Sequence, residues 1–523
     1  MRRALACCVA TIIVLSSSFC RATGFTDLGQ DIRAHQETSF ELHGALRVRA
    51  EGLYNLDLDR GLDPSGRPLF PVAASDPTSQ WLTHADLRLR TDLAFYAPGA
   101  GVAVKVRLDA LDNVGLGSLP EGVPAATNSQ RSPDGALRIK RAYGEALTPI
   151  GVLVAGRTGS HWGLGMLANG GDCADCDAGD SGDRVAFLTP LLGHIFALAY
   201  DLSAAGPFAS RRAGTRTIDL DPADDTRTVT FALLRYRSDL SIARRRRADK
   251  WTLDYGTYVS HRWQDRDVPA STLPVAPPGP SARVPMARGL RATALDGWLR
   301  LVGPSARIEV EVAAILGGID QPSLIPGVLL PRPVQTRQLG AALESELGAP
   351  EDALAVGLDA GYASGDPAPG FGAFPDPAGH PPLPGDLDGA QATPPRDTRV
   401  DNFRFHPDYR VDRILWREIV GTVTDAVYVR PHIRARVASA DVGSLSVSLA
   451  AVASLAVDEH SAPGGQRPLG LELDPTLLYQ SRDGFSAALE HAVLFPLAGL
   501  DNPTVRLGAR PAQLVRVRLV YAF

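Results

Sequence analysis

The run RPAQLVRVRLVYAF, which closes the chain, alternates strictly between two kinds of side chain. Leu514, Arg516 and Arg518 fall on one face of an extended segment, and Val515, Val517, Leu519, Tyr521 and Phe523 fall on the other. A period of two marks a β-strand with one polar and one apolar face. The pattern returns along the chain. Leu87, Leu89, Thr91, Leu93 and Phe95 oppose Arg88, Arg90 and Asp92, while Val102, Val104, Val106 and Leu108 oppose Lys105, Arg107 and Asp109. Further on, Ile308, Val310 and Val312 oppose Glu309 and Glu311, and Ile433 and Val437 oppose Arg434 and Arg436. Each strand must keep its aliphatic face out of water, either in a dry core between sheets or against hydrocarbon around a wet centre.

The connections discriminate between these two. Short links such as APGAG (97–101), LTPIG (147–151), GAPED (348–352) and SRDG (481–484) alternate with long polar stretches, near 55–80, 113–135, 159–183, 202–226, 264–288, 318–336, 365–424, 458–468 and 498–509. A soluble sandwich need not show that asymmetry, and no repeat of propeller or solenoid length is visible. A membrane barrel does show it, with tight turns at the periplasmic end and longer loops outside. The pattern predicts an all-β chain, an antiparallel up-and-down transmembrane β-barrel of about 18 strands, with about 16 as the alternative. Aromatics near strand ends (Trp81, Tyr96, Tyr200, Trp251, Trp263, Tyr479, Tyr521 and Phe523) fit interfacial girdles.

The leader points the same way. Arg2 and Arg3 precede an apolar stretch from Ala4 to Leu15 and then SSSFCRATG, the order of a secretory signal peptide. Cleavage after Ala22 gives a signal over 1–22, a periplasmic segment over 23–39 and a barrel over 40–523. Processing removes Cys7, Cys8 and Cys20 and leaves only Cys173 and Cys176 of the five cysteines. The formal net charge of −5 is small for this length and gives no reason to expect nucleic acid. The arginine run Arg244 to Arg247 reads as a solvated turn rather than a binding patch.

The C-terminal strand, with Tyr521 and terminal Phe523, resembles the aromatic signal by which the outer-membrane barrel assembly machinery recognises its clients. IKRAYGEALTPIGVLVAGRTGSHWGLGMLANGGDCADCDAGD and DNFRFHPDYRVDRILWREIVGTVTDAVYVRP resemble an uncharacterised, mostly myxobacterial family of predicted outer-membrane β-barrel proteins. DAGYASGDPAPGFG is similar to strand-and-loop segments of porin-like export channels. The resemblance implies a barrel in a Gram-negative outer membrane and supplies no activity.

Three regions carry candidate chemistry. In the loop 156–184, Cys173 and Cys176 lie beside Asp172, Asp175, Asp177, Asp180 and Asp183. Export favours a disulfide between the two cysteines. Cys-x-x-Cys is also half a zinc site, but no second pair exists. Clustered carboxylates make Asp172, Asp175, Asp177 and Asp180 candidate Ca²⁺ ligands, although the spacing lacks the EF-hand order, and solvated acidity is the third reading. Ser160 and His161 are adjacent, so on a strand they point to opposite faces, and with no GxSxG elbow no enzyme is expected.

In YRVDRILWREIVGTV, Ile414, Leu415, Glu418 and Ile419 recur at helical spacing, and Arg410, Arg413 and Arg417 share one side. That segment is expected either to fold into the lumen within loop 365–424, as a constriction built from Arg410, Arg413, Arg417 and Glu418, or to lie across the extracellular rim. If the strands enclose water, the pore-lining candidates are Arg88, Arg90, Asp92, Lys105, Arg107, Asp109, Arg138, Lys140, Glu309, Glu311, Arg434, Arg436, Arg516 and Arg518. A wall of this sign predicts a slight anion preference, or cross-strand pairing that merely stiffens it. The expected activity is passive diffusion of small solutes. The alternative is a closed structural or adhesive barrel that binds partners through its loops.

Overall fold

The computed structural model describes residues 24–25, 28–29, 32, 37–64, 66–76, 78–116, 137–204, 208–210, 217–267, 286–321, 333–372 and 398–523. The expected leader over 1–22 and much of loop 365–424 lie outside the described residues.

Alternating segments become strands in chain order. They are β1 (Ser39–Tyr54), β2 (Trp81–Ala97), β3 (Val102–Gly115), β4 (Leu137–Thr148), β5 (Gly151–Gly159), β6 (Ser181–Leu191) and β7 (His194–Ser203). A two-stranded ribbon, β8 (Phe208–Ser210) and β9 (Thr217–Asp219), sits in the loop that follows. Then come β10 (Thr226–Arg235), β11 (Thr252–Asp267), β12 (Met286–Val302), β13 (Ala306–Ile319), β14 (Val334–Leu347) and β15 (Leu354–Ala363). The last are β16 (Ala426–Ala440), β17 (Gly443–Ala456), β18 (Pro468–Ser481), β19 (Phe485–Pro496) and β20 (Ala512–Ala522). Apart from the ribbon, they form one 18-stranded antiparallel sheet. It closes because β1 pairs with β2 on one side and β20 on the other. Closure leaves no unpaired edge, the condition for strands to cross hydrocarbon.

The faces separate as the alternation requires. On β20, Val515, Val517 and Leu519 are exposed outward, while Leu514 and Arg516 are fully buried. Leu198 on β7, Leu299 on β12, Val429 on β16 and Leu489 on β19 continue the outer aliphatic belt. Water would penalise so continuous an apolar exterior, and lipid would not. No helix among the described residues is long and apolar enough to cross a membrane; the strands do so. Trp81, Tyr200, Trp251, Tyr521 and Phe523 are exposed at strand ends, as interfacial girdles require. Tyr96 departs from that expectation: it is 3% exposed and turned inward beneath Lys105. It shares the face of Arg88 and Arg90, and parity overrides its place at a strand end.

The two ends differ. Eight links close one end, seven of them of six residues or fewer and the eighth, 236–251, longer, and nine long ones close the other. The arginine run forms a nine-residue helix, α1 (Asp239–Arg247), at the short end instead of a plain turn. Ile242 buries one side of it, and Arg245 and Arg246 donate to the carbonyls of Trp251 and Pro304. At the other end, described stretches of the long loops turn into the barrel and build an apolar core there. Phe371, Phe403, Phe405, Ile414, Leu415 and Trp416 pack against small inward residues such as Ala313, Ala342 and Ala492. At Gly340 a β-carbon would lie 2.3 Å from the Phe403 ring, so only glycine leaves room for it.

Of the expected N-terminal segment over 23–39, only residues 24–25, 28–29, 32 and 37–39 are described. Phe25 packs with Val154, Trp162 and Ala186 inside the wall, and Gly29 N–H donates to Glu145 at 3.1 Å. These residues line the lumen rather than trail below it, because the inner wall offers an apolar patch and a buried carboxylate acceptor.

Candidate functional site

Cross-strand register creates an electrostatic problem inside the barrel. Arg47 lies opposite Arg88, Arg49 opposite Arg518, and Arg107 opposite Arg141. All six point inward, and directly opposed like charges destabilise a sheet. The neighbouring wall solves part of this with opposite pairs. Arg90 forks onto Asp109 with two contacts of 2.8 Å, Arg107 holds Asp92 at 2.6 Å, and Arg516 holds Glu51 at 2.5 Å. Asp86 bridges Arg47 and Arg49, at 3.1 and 2.7 Å.

The loop between β5 and β6 supplies the rest. Asp172 sits between Arg107 and Arg141, in direct contact with the first and 3.0 Å from the second. Asp177 reaches Arg47 at 2.9 Å and Arg49 at 3.0 Å. Asp175 lies 3.2 Å from Arg49 and 3.9 Å from Arg518. Each like-charged arginine pair therefore meets at least one loop aspartate. Carbonyl oxygens of the same loop accept further guanidinium bonds: Gly171 from Arg90 at 2.6 Å, Gly170 from Arg141 at 2.5 Å, and Cys176 from Arg88. Cys173 and Cys176 are joined by a disulfide that closes the bend between these acids.

Burial alone would raise these acids, but the arginines more than reverse it. Arg107 and Arg141 hold Asp172 well below the usual carboxylate range, and Arg417, Arg516 and Arg518 do the same for Asp175. Arg49 and Arg47 bring Asp177 down to about 2. Three of the four residues expected as oxygen ligands for Ca²⁺, Asp172, Asp175 and Asp177, are thus engaged by guanidinium groups. Asp180 stands apart, 3.5 Å from His406, and accepts the Asn169 N–H.

A second segment, 398–424, enters the lumen and meets this loop. Its expected helix is a single five-residue π-turn, Leu415–Ile419. Arg417 contacts Asp175, and Arg410 bridges Asp177 and Asp408 at 3.1 Å each. Asp408 in turn accepts the Asp177 N–H at 2.8 Å. Glu418 lies 3.2 Å from Arg516. Arg413 separates from this group and faces Thr476, Asp474 and Glu490 instead.

Two wall glutamates anchor the lumenal segments by their backbones. Glu311, on β13, accepts N–H groups from Leu164, Met166 and Leu167, the shortest at 2.6 Å. Gly163 has φ +54° there, and a β-carbon on it would lie 2.6 Å from the carboxylate. Glu472, on β18, accepts from Arg413, Ile414 and Leu415. Glu311 thus faces inward but is fully buried, as an acceptor rather than a water-facing charge. Glu309 is likewise covered, bonded by Arg307 and by Trp298 at 2.8 Å.

The remaining expected wall residues are placed as follows. Arg138 and Lys140 share Asp112 near the long-loop end, at 3.5 and 2.7 Å. Lys105 holds Glu145 at 3.3 Å. Arg434 pairs with Glu346, and Arg436 donates to the carbonyls of Pro350 and Glu351 at the short end. Arg518 reaches Glu490 at 2.9 Å. Phe523 exchanges both backbone hydrogen bonds with Gly44, so the final residue is tied to β1. Ser160 accepts from Arg184, while His161 accepts the Gly170 N–H through Nδ1.

The expected pore-lining set omits several inward arginines, among them Arg47, Arg49 and Arg141. Arg47 and Arg49 carry a readable signal in ALRVRAEGLY, where they alternate with Leu46 and Val48. Arg141 does not. A register shift between β3 and β4 puts both Arg138 and Arg141 inward, against their odd separation.

Below the two lumenal segments a cavity of about 1620 Å³ reaches the short-link end. His43, Lys105, Arg434 and Arg436 line its sides, and Arg88 and Asp172 stand at its inner limit.

No family model and no curated protein matches the chain. Among solved structures, OccK9 (OpdG) of Pseudomonas aeruginosa aligns at 11% identity and a TM-score of 0.47, covering 93% of this chain and 98% of that one. The outer membrane channel DcaP of Acinetobacter baumannii aligns at 11% identity and 0.39, with the same coverages. OmpT, an outer membrane protein of Vibrio cholerae, aligns at 8% identity and 0.36, again over 93% and 98%.

Proposed function

We propose that this chain is an outer-membrane, porin-like channel for passive diffusion of small solutes, with a preference for anions. The observation that carries the reading is the set of opposed arginine pairs, Arg47–Arg88, Arg49–Arg518 and Arg107–Arg141, on the inner wall of a closed barrel. Guanidinium rows facing water favour anions over cations. Their present partners, the carboxylates of Asp172, Asp175 and Asp177, have the chemistry of the solutes such a wall would attract. Displacement of that loop exposes the pairs and joins the cavity below to the outside. Arg410, Arg417 and Glu418 act in this reading as the constriction that the loop must leave.

The orientation follows from the links, with short turns in the periplasm and long loops outside. The exposed Tyr521 and the terminal Phe523 would address the chain to the barrel assembly machinery. Deletion of Phe523 should then lower the yield of folded barrel in cells.

A second reading, a closed structural or adhesive barrel, draws support from the dry cluster around Phe403, Phe405 and Trp416 in the long-loop half. Planar-bilayer recording separates the two. A channel gives steady unitary currents and a reversal potential displaced toward that of chloride in a KCl gradient. Silence, or displacement toward potassium, would overturn the anion-channel reading.

A further inference from the structure

One cluster of charge plays no part in the lumen. The loop after the β8–β9 ribbon reads DLDPADD, from Asp219 to Asp225, at the long-loop end. Its backbone is fixed by its own acids: Asp219 accepts the Asp221 N–H at 3.0 Å, and Asp221 accepts the Ala223 N–H at 3.2 Å. The end of β11 holds it from the other side, with Gln264 donating to the Asp224 carbonyl at 2.8 Å and Arg266 N–H to the Ala223 carbonyl at 3.2 Å. The carboxylates of Asp219, Asp224 and Asp225 offer oxygens that all lie within 4.8 Å of one another.

An acidic cluster alone is unremarked on most surfaces, but Asp224 is different. Its side chain is fully buried, and neither carboxylate oxygen has a hydrogen-bond partner. A buried carboxylate without a partner is costly and calls for a counter-charge. Nearby guanidinium groups are directed elsewhere: Arg227 to the Pro222 carbonyl, Arg262 to Thr228, and Arg288 toward Asp267. Like charge from Asp219, Asp221, Asp225 and Asp267 adds to the field at Asp224.

The geometry points to a divalent-cation site, formed by Asp219, Asp224 and Asp225, that takes Ca²⁺. All the side-chain donors are carboxylate oxygens, the ligands of a hard cation rather than of zinc. Two oxygens bound at 2.3–2.6 Å to one Ca²⁺ stand up to roughly 5 Å apart, which accommodates the observed spacing. The flexible coordination of Ca²⁺ also suits a site built from a loop, whereas Mg²⁺ demands a tighter octahedron. The bound ion fastens the ribbon loop to the β10–β11 end of the barrel.

The test is calorimetric titration of CaCl₂ into the full, detergent-solubilised chain after chelator treatment. One equivalent of Ca²⁺ should bind per chain, with MgCl₂ at least tenfold weaker. Asp224→Asn and Asp225→Asn should each weaken Ca²⁺ at least tenfold, while Asp441→Asn, in an exposed turn at the opposite end, should bind as the native chain does. Heat-modifiable migration in SDS reports that each variant is a folded barrel. Should Asp224→Asn fail to fold, Asp225→Asn carries the same comparison. The absence of saturable Ca²⁺ binding by the native chain overturns the site, and so does native-like affinity in the folded variants.

Discussion

Replacing Asp175 with Asn removes one negative charge, and almost no volume, from the point where both lumenal segments meet the wall. Arg417 contacts this carboxylate directly, and Arg49, Arg516 and Arg518 lie 3.2, 3.7 and 3.9 Å away. The Asp175 side chain is 18% exposed and that of Arg516 is 0% exposed, so solvent screens these contacts little. Breaking a buried ion pair from one side costs roughly 3–5 kcal/mol, because the other charge is left uncompensated. At about 1.4 kcal/mol per decade, that shifts the docking equilibrium of the loop by roughly two to four orders of magnitude. A matched control is Asp183→Asn, which breaks the pair with Arg157, whose side chains are about half exposed. Pairs of that kind contribute roughly 0–1 kcal/mol. Single-channel recording should therefore find a higher open probability and a stronger chloride preference in Asp175→Asn, with little change in Asp183→Asn. Identical currents and reversal potentials in both variants and the native chain would refute the idea that loop carboxylates hold the passage shut.

Three further outcomes follow from the same geometry. Because Asp172, Asp175 and Asp177 are depressed, their contribution to docking is complete above the ordinary carboxylate range, near ~3.9, and is lost as pH falls through their own values. With Asp177 at about 2, conductance should stay level from neutral pH to mildly acid conditions and rise only as pH approaches that value. Glu311→Ala leaves the Leu164, Met166 and Leu167 N–H groups without their acceptor, at roughly 1–3 kcal/mol for each buried donor left unmet; limited proteolysis should then cut the loop between β5 and β6, which the native chain protects. Val517→Arg puts a charge on the lipid face of β20 and should destabilise the barrel by roughly 2–4 kcal/mol near the bilayer midplane, measured by reversible denaturant unfolding in vesicles.

The barrel itself was legible because its signal is local. Alternation at Val515 to Tyr521, and at Leu87 to Phe95, assigns each residue to a face without knowledge of any neighbour. The rhythm of short and long links then gave antiparallel closure, and the strand count agrees with the 18 observed. The candidate site was legible only in part. Arg88, Arg90, Arg107, Arg516 and Arg518 could be placed on the inner wall, but which of them lacked a partner could not be read. Arg141 escaped because a bulge changes its parity, and Glu311 read as a water-facing acid although loop backbone covers it. The helical spacing around Ile414 found the right segment but overstated it, since apolar packing and the Glu472 carboxylate hold a single turn there.

What the sequence determined by itself was the division of the regularly alternating strands into a face for lipid and a face for the lumen, because side-chain direction in an extended chain without a bulge depends only on position parity. Tertiary structure decided the charge pattern within. Register set Arg47 against Arg88 and Arg107 against Arg141, and loop docking brought Asp172, Asp175 and Asp177 to meet them. These contacts join residues far apart in the chain, and short-range periodicity carries no information about which distant charges will face each other across a closed wall.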